Sequence, residues 1–269
     1  MLDQDLSPGA MPGMKVVFLG TGTSVGVPAI GCTCPVCVSS DPKNKRLRTS
    51  LHLQACGTHV VVDTSPDFRM QAITYKIPRV DALVFTHSHA DHILGFDDIR
   101  RYNTMQECRI PAYGSADTIA DMNRIFDYIH HEHAPGVYRP KVDFHEVSGP
   151  FQVGPIRVEP FAVAHAPKTT YGYRFEAAGR SLGYFPDCHE MPSGMISRLR
   201  GLDVMILDAL RYRPHSTHLA LAESVAILKS IGARKSFVIH MCHDLDHNQT
   251  QKELPESVFV PYDGLALEW

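Results

Sequence analysis

Thr86-His87-Ser88-His89-Ala90-Asp91-His92 places three histidines and a carboxylate directly after the apolar run Ala82-Leu83-Val84-Phe85. An apolar run that gives way at once to ligand-type side chains reads as a buried strand ending in a metal-binding loop. Imidazole and carboxylate are donors that zinc, iron and manganese accept. A strand end delivers several of them to one spot, where two ions can share them. The chain holds 16 histidines, so two that lie near each other in sequence mean little by themselves. The Asp at fixed spacing among them is what separates this cluster from a solvated polar loop.

At 269 residues the chain can bury one large core or two small ones. Residues 1–13 read as a flexible leader, with Met14 as an alternative start. Residues 14–269 read as a single domain, since no repeat, low-complexity tract or linker interrupts them. A net charge of −3 argues against a nonspecific polyanion binder. The N-terminus Met1-Leu2-Asp3-Gln4-Asp5 lacks the basic start and apolar core of a signal peptide, and no apolar run is long enough to span a bilayer. The expected location is therefore cytoplasmic, with no membrane partner. Strands are expected at Lys15–Leu19, Thr49–Gln54, His59–Val62 and the run to Phe85, then near 156–165, 171–176, 181–186, Val204–Leu207 and Ser236–Ile239. Helices are expected from Asp91, over Asp117–His130, near 192–200 and over Leu219–Ile231.

His-x-His-x-Asp-His is the hallmark motif of the metallo-β-lactamase-fold hydrolases, which this chain resembles from Met14 onward. The resemblance implies an α/β fold, a four-layered αββα sandwich with its metal site at the ends of two facing sheets. The strand pattern alone would allow other mixed α/β folds. The resemblance also implies a ligand set. His87, His89, His165 (in Val163-Ala164-His165) and Asp187 (in Tyr184-Phe185-Pro186-Asp187) would hold one ion. Asp91, His92, His240 (in Val238-Ile239-His240) and again Asp187 would hold the other, while Asp63 would buttress the histidine loop. Two divalent ions, zinc or manganese, roughly 3.5–4 Å apart share a water, lower its pKa to give a hydroxide nucleophile, and clamp phosphoryl oxygens. Related phosphodiesterases carry a general-acid histidine where His218 stands, with Asp208 a candidate to orient it and His215 a competitor for the role. The expected catalytic residues are His218 and Asp91, the latter also a ligand.

Cys32-Thr33-Cys34-Pro35-Val36-Cys37 sets three thiolates within six residues. That spacing suits a zinc knuckle better than a disulfide framework or a redox centre. His243, three residues after His240, is the best fourth ligand for one structural zinc, and four protein ligands would leave no open position for catalysis. Cys56, Cys108, Cys188 and Cys242 are scattered and expected to be reduced. The Cys₃His set and the Gly-Thr-Gly loop before it resemble the phosphoribosyl 1,2-cyclic phosphate phosphodiesterases of the carbon–phosphorus lyase pathway.

The expected activity is thus metal-assisted hydrolysis of a small phosphodiester, with the cyclic substrate supplied by resemblance. A tRNase Z-like RNA 3′-end endonuclease, a thioesterase or lactonase, and a metal- or ligand-binding protein without turnover are the alternatives. The chain lacks the long glycine-rich basic arm typical of tRNase Z, so no stable nucleic-acid partner is expected. A homodimer is left open. Gly20-Thr21-Gly22-Thr23-Ser24 reads as a tight turn before a phosphate cradle. Lys168 and the residues after it are candidates to border the substrate. His130, His131 and His133 read as a solvated helix end, and Arg100 and Arg101 are left unassigned.

Overall fold

The computed structural model describes residues 13–131, 134 and 136–269. The expected leader thus lies outside the described residues except for Gly13, and so does His133. Runs rich in valine and aromatic residues form the strands. They are β1 (Met14–Gly20), β2 (Ser50–Ala55), β3 (Thr58–Val62), β4 (Ala82–Val84), β5 (Ile110–Gly114), β6 (Val142–Glu146) and β7 (Phe151–Val153). Then follow β8 (Ile156–Val163), β9 (Thr170–Ala177), β10 (Arg180–Phe185), β11 (Val204–Asp208), β12 (Lys235–Ile239), β13 (Val258–Phe259) and β14 (Ala266–Glu268). They pair in two seven-stranded sheets, ordered β14-β1-β2-β3-β4-β5-β6 and β13-β12-β11-β10-β9-β8-β7. The helices are α1 (Pro35–Val38), α2 (Phe68–Thr74), α3 (Ala90–Ile93), α4 (Ile99–Gln106), α5 (Ala116–Ile125), α6 (Ser193–Arg198), α7 (Leu221–Ile231) and α8 (His247–Glu253).

Alternation of side chains along each strand builds the layers. On β3, Val60 and Val62 join Phe18, Tyr173, Tyr184 and Phe237 between the sheets, whereas Val61 packs outward with Phe68, Phe96 and Ile99. On the second sheet, Leu182, Tyr184 and Ile206 face inward, while Phe185, Met205 and Leu207 pack with Leu228 and Ile231 of α7. Helices, sheet, sheet, helices is the four-layered αββα sandwich expected from the motif.

Parallel pairing sets the position of the site. β3 runs parallel to β4, and β10 to β11 and β12. β8 and β10 are both antiparallel to β9, so they share a direction. The loops leaving the C-terminal ends of these strands therefore open along one edge of each sheet.

Several elements differ from the expectation. The helix from Asp91 is broken into α3, a 3-10 turn at Phe96–Asp98, and α4. The break falls at Gly95, where a Cβ would lie 2.0 Å from the Ser65 carbonyl oxygen. The helix over Asp117–His130 closes at Ile125, and Asp127–His130 continues as a 3-10 turn. Ile125 stands at the margin of the apolar stripe, and the helix end leaves it exposed.

Candidate active site

Asp63 follows β3 and turns the chain through a left-handed conformation (φ 63°). Its buried carboxylate accepts the Thr86 N–H (2.8 Å), the Thr86 hydroxyl (2.8 Å) and the His92 Nδ1–H (2.7 Å). The Thr86 hydroxyl proton is committed to Asp63, so its oxygen accepts from His87 Nδ1 at 3.0 Å. One aspartate thereby orients two rings, turning Nε2 of both His87 and His92 away from Asp63 and toward the other candidate ligands. His92 opens onto the 63–65 turn, where its carbonyl accepts the Thr64 N–H.

The second sheet supplies the remaining residues from strand ends. His165 follows β8 and donates Nδ1–H to the Thr217 carbonyl at 2.8 Å, so its Nε2 is a lone pair. That nitrogen lies 3.2 Å from His89 Nδ1. Asp187 follows β10 and stands between two donor groups. Its Oδ2 lies 3.4 Å from His165 Nε2 and 3.9 Å from His87 Nε2, and its Oδ1 lies 3.2 Å from His92 Nε2. His240 follows β12, also at positive φ (60°), with Nε2 3.5 Å from both Asp91 Oδ2 and Asp187 Oδ2. Asp91 Oδ2 in turn lies 3.3 Å from His92 Nε2. All seven residues expected to serve two ions therefore meet at one place.

These residues fit divalent cations. Donors around a tetrahedral ion at about 2.0–2.1 Å stand roughly 3.3 Å apart, close to most of the separations above. His87 Nε2, His92 Nε2, His240 Nε2 and Asp187 Oδ1 are buried without a hydrogen-bond partner, a costly arrangement unless an ion satisfies them. Burial holds His87 well below the usual imidazole value, lowers His89, and brings His165 down to about 4, so these rings stay neutral. At His92 burial works the same way, but Asp187, Asp91 and Asp63 outweigh it and raise the ring well above that value. The negative charge concentrated there is what a cation at Nε2 would neutralise in place of a proton.

His218 stands beside these donors. Its ring lies 4.6 Å from that of His165 and is stacked 4.7 Å from that of His240. Nδ1 meets Asp208 Oδ2 at 2.8 Å, which leaves Nε2 for a reacting group. Asp208 ends β11 and is fully buried, and its Oδ2 also accepts the Cys188 N–H at 3.0 Å. Burial lowers His218 and raises Asp208 well above the usual carboxylate range. His215 is half-buried, 5.3 Å from His218 between ring centroids, with no carboxylate on Nδ1. Of the two histidines considered for the acid, only His218 thus carries the orienting aspartate.

The cysteine cluster gathers around His243. Its Nδ1 lies 3.2 Å from Cys32 Sγ, 3.3 Å from Cys34 Sγ and 3.5 Å from Cys37 Sγ. The backbone N–H of Cys37 pulls Cys34 down to about 6, the thiolate form zinc takes, while burial pushes Cys37 up to about 11. Cys188 is buried, whereas Cys56 and Cys108 are exposed, and all seven cysteines are free.

The other candidates separate clearly. The amides of Gly22 and Thr23 are spent on the Leu47 and Met241 carbonyls, and a Cβ on Gly20 would lie 2.0 Å from the Arg48 carbonyl oxygen. The glycine loop is a tight turn that ties the first strand to the segment after His240. Lys168 is paired with Asp121 at 2.5 Å, and the same carboxylate oxygen accepts Ser88 of the histidine loop at 2.6 Å. Sequence reasoning missed this link, as it missed Thr86 and the Thr217 carbonyl. Thr86 was quoted in the motif, but nothing in a sequence marks a backbone carbonyl as a histidine's partner. His130 meets Asn123 at 2.7 Å, and His131 lies 3.8 Å from Asp127, away from any ligand cluster.

A family model described as a β-lactamase superfamily domain matches residues 58–241. The chain belongs to this superfamily, and it is a metal-dependent hydrolase that binds divalent cations. The solved structure of a diphosphatase from the PhnP family superposes with a TM-score of 0.87 at 40% identity, over 95% of this chain and 97% of that one. The octanoyltransferase of Porphyromonas gingivalis (strain ATCC BAA-308 / W83) is 32% identical over 256 residues, 94% of this chain and 51% of that protein. This chain therefore spans about half the length of that relative. Coenzyme PQQ synthesis protein B of Methylobacterium sp. (strain 4-46) is 28% identical over 228 residues, 74% of each chain. Among the described residues no helix is long and apolar enough to cross a membrane.

Proposed function

We propose that this hydrolase is a phosphodiesterase that opens a small cyclic phosphate ester, with phosphoribosyl 1,2-cyclic phosphate as the leading substrate. His87, His89, His165 and Asp187 would hold one divalent ion, and Asp91, His92, His240 and Asp187 the other. Cys32, Cys34, Cys37 and His243 would hold a structural zinc. The observation that carries the reading is the 2.8 Å contact between His218 Nδ1 and Asp208, which sets an oriented proton donor beside the ligand donors. An alkoxide is a poor leaving group and needs that proton. When bound, the cations lower the pKa of a water and neutralise phosphoryl oxygens. His218 would present Nε2–H to the leaving oxygen while Asp208, in contact with Nδ1, holds the ring in place. Thr86 and Asp63 would keep His87 and His92 aimed throughout.

The 40% identity to a diphosphatase supports a second substrate class, a diphosphate ester. Phosphorus NMR of metal-loaded protein separates the two. Opening of 5-phosphoribosyl 1,2-cyclic phosphate to one phosphomonoester isomer is expected. Cleavage of a nucleoside diphosphate ester with the cyclic substrate left intact would replace the cyclic phosphate with the diphosphate reading.

A further inference from the structure

His215 is unused by the reaction outlined above, yet its ring is oriented by Thr217. Nδ1 lies 3.3 Å from the Thr217 backbone nitrogen and 3.2 Å from its hydroxyl. A backbone N–H can only donate, so Nδ1 is a lone pair and the proton sits on Nε2. The same Thr217 holds His165 through its carbonyl, so the residue that orients His215 is tied to the ligand cluster.

The placement of His215 follows from its neighbours. His218 contacts a ring from each half of the ligand set, His165 at 4.6 Å and His240 at 4.7 Å. His215 contacts His218 at 5.3 Å, one ring further out, and is half-buried. A general acid stands on the leaving-group side of the phosphoryl centre. The ring beyond it therefore faces whatever substituent the leaving oxygen carries.

We infer that His215 is the residue that selects the leaving group, donating Nε2–H to an oxygen borne next to the breaking P–O bond, as in a sugar alkoxide with a neighbouring hydroxyl. This inference rests on the phosphodiesterase reading and assigns His215 to recognition rather than to proton transfer. A site built to donate to an oxygen rejects a leaving group that lacks one, because the donor is then left unpaired.

The test compares His215→Leu, which removes the donor, with His215→Gln, whose side-chain amide restores a donor near the Nε2 position. Metal-loaded protein is assayed on 5-phosphoribosyl 1,2-cyclic phosphate and on bis(p-nitrophenyl) phosphate, whose leaving group has no oxygen next to the breaking bond. For His215→Leu, KM for the sugar substrate is expected to rise about ten-fold, the worth of one hydrogen bond between neutral groups. The ratio of kcat/KM between the sugar and aryl substrates should fall by a similar factor, and His215→Gln should recover most of it. Nitrogen-15 NMR of the metal-free protein should show the Nε2–H tautomer at His215. An Nδ1–H tautomer, a loss confined to kcat, or equal losses on both substrates overturns the inference while leaving the phosphodiesterase intact. Failure of the unmutated protein to cleave either diester overturns the phosphodiesterase reading itself.

Discussion

At the scale of single residues, the site depends on groups that aim other groups. Asp63 fixes His92 directly and His87 through Thr86, and Asp208 does the same for His218. The consequences of losing an aimed group and losing its partner should therefore differ. His218→Ala is expected to keep the full metal content and lose most turnover on alkyl diesters, by on the order of 10²–10⁴-fold. The loss on p-nitrophenyl esters should be smaller, since that leaving group needs little proton assistance. A near-normal rate on the alkyl substrate would remove His218 from the acid role. Asp208→Asn preserves shape but invites the wrong tautomer at His218, so kcat should fall while bound metal, read by elemental analysis, stays level.

At the scale of elements, strand ends carry the site, and this part was legible in the sequence. Val60–Val62, Ala82–Val84 and Val238–Ile239 are short apolar runs, and each leads directly or within a few residues to a polar residue that the fold brings to the site. The four edge strands β6, β7, β13 and β14 were not legible, because an edge strand needs only a weak pattern and owes its pairing to a distant partner; the inner strand β5 was missed because its short run Ile110–Gly114 carries a proline and ends on glycine. The cysteine knuckle was visible as spacing and His243 as its best fourth-ligand candidate; the fold adds the 3.2–3.5 Å distances from His243 Nδ1 to the three sulfurs. Cys34→Ser is expected to lower zinc content by one equivalent and to leave the other ions bound, and full retention would dismiss the knuckle as a metal site. A further strand pair gives a pH prediction. His52 of β2 and His59 of β3 are buried and 3.0 Å apart. Burial, then His59 and Lys15, bring His52 down to about 4, and burial lowers His59 as well. A histidine whose folded pKa is depressed stabilises the fold fully above its unfolded value near 6.5, and that contribution is lost as pH falls toward 4. The contribution of His52 is on the order of 3 kcal/mol. Denaturant titrations of metal-free protein at pH 7.5 and pH 4 should therefore show a smaller pH difference for His52→Leu than for the parent chain.

At the scale of the whole molecule, the candidate ligands come from both sheets. His87, His89, Asp91 and His92 follow β4, while His165, Asp187 and His240 follow β8, β10 and β12. Cations bound there would pin the two sheets to each other along one edge and bind only the folded state. An ion present at a hundred times its Kd adds about 2.7 kcal/mol. Chelation should therefore lower Tm by roughly 5–10 °C, with recovery on adding zinc or manganese. An unchanged Tm after complete stripping would mean that the sheets hold their edge without the ions. The segment His240-Met241-Cys242-His243 places one expected ligand in each of two metal clusters, far along the chain from their partners at residues 32–37 and 87–92. On a ribosome, neither cluster can close until this late stretch has emerged. Earlier thiols and imidazoles would wait with incomplete coordination, so chains cut short before residue 240 are expected to hold metal poorly.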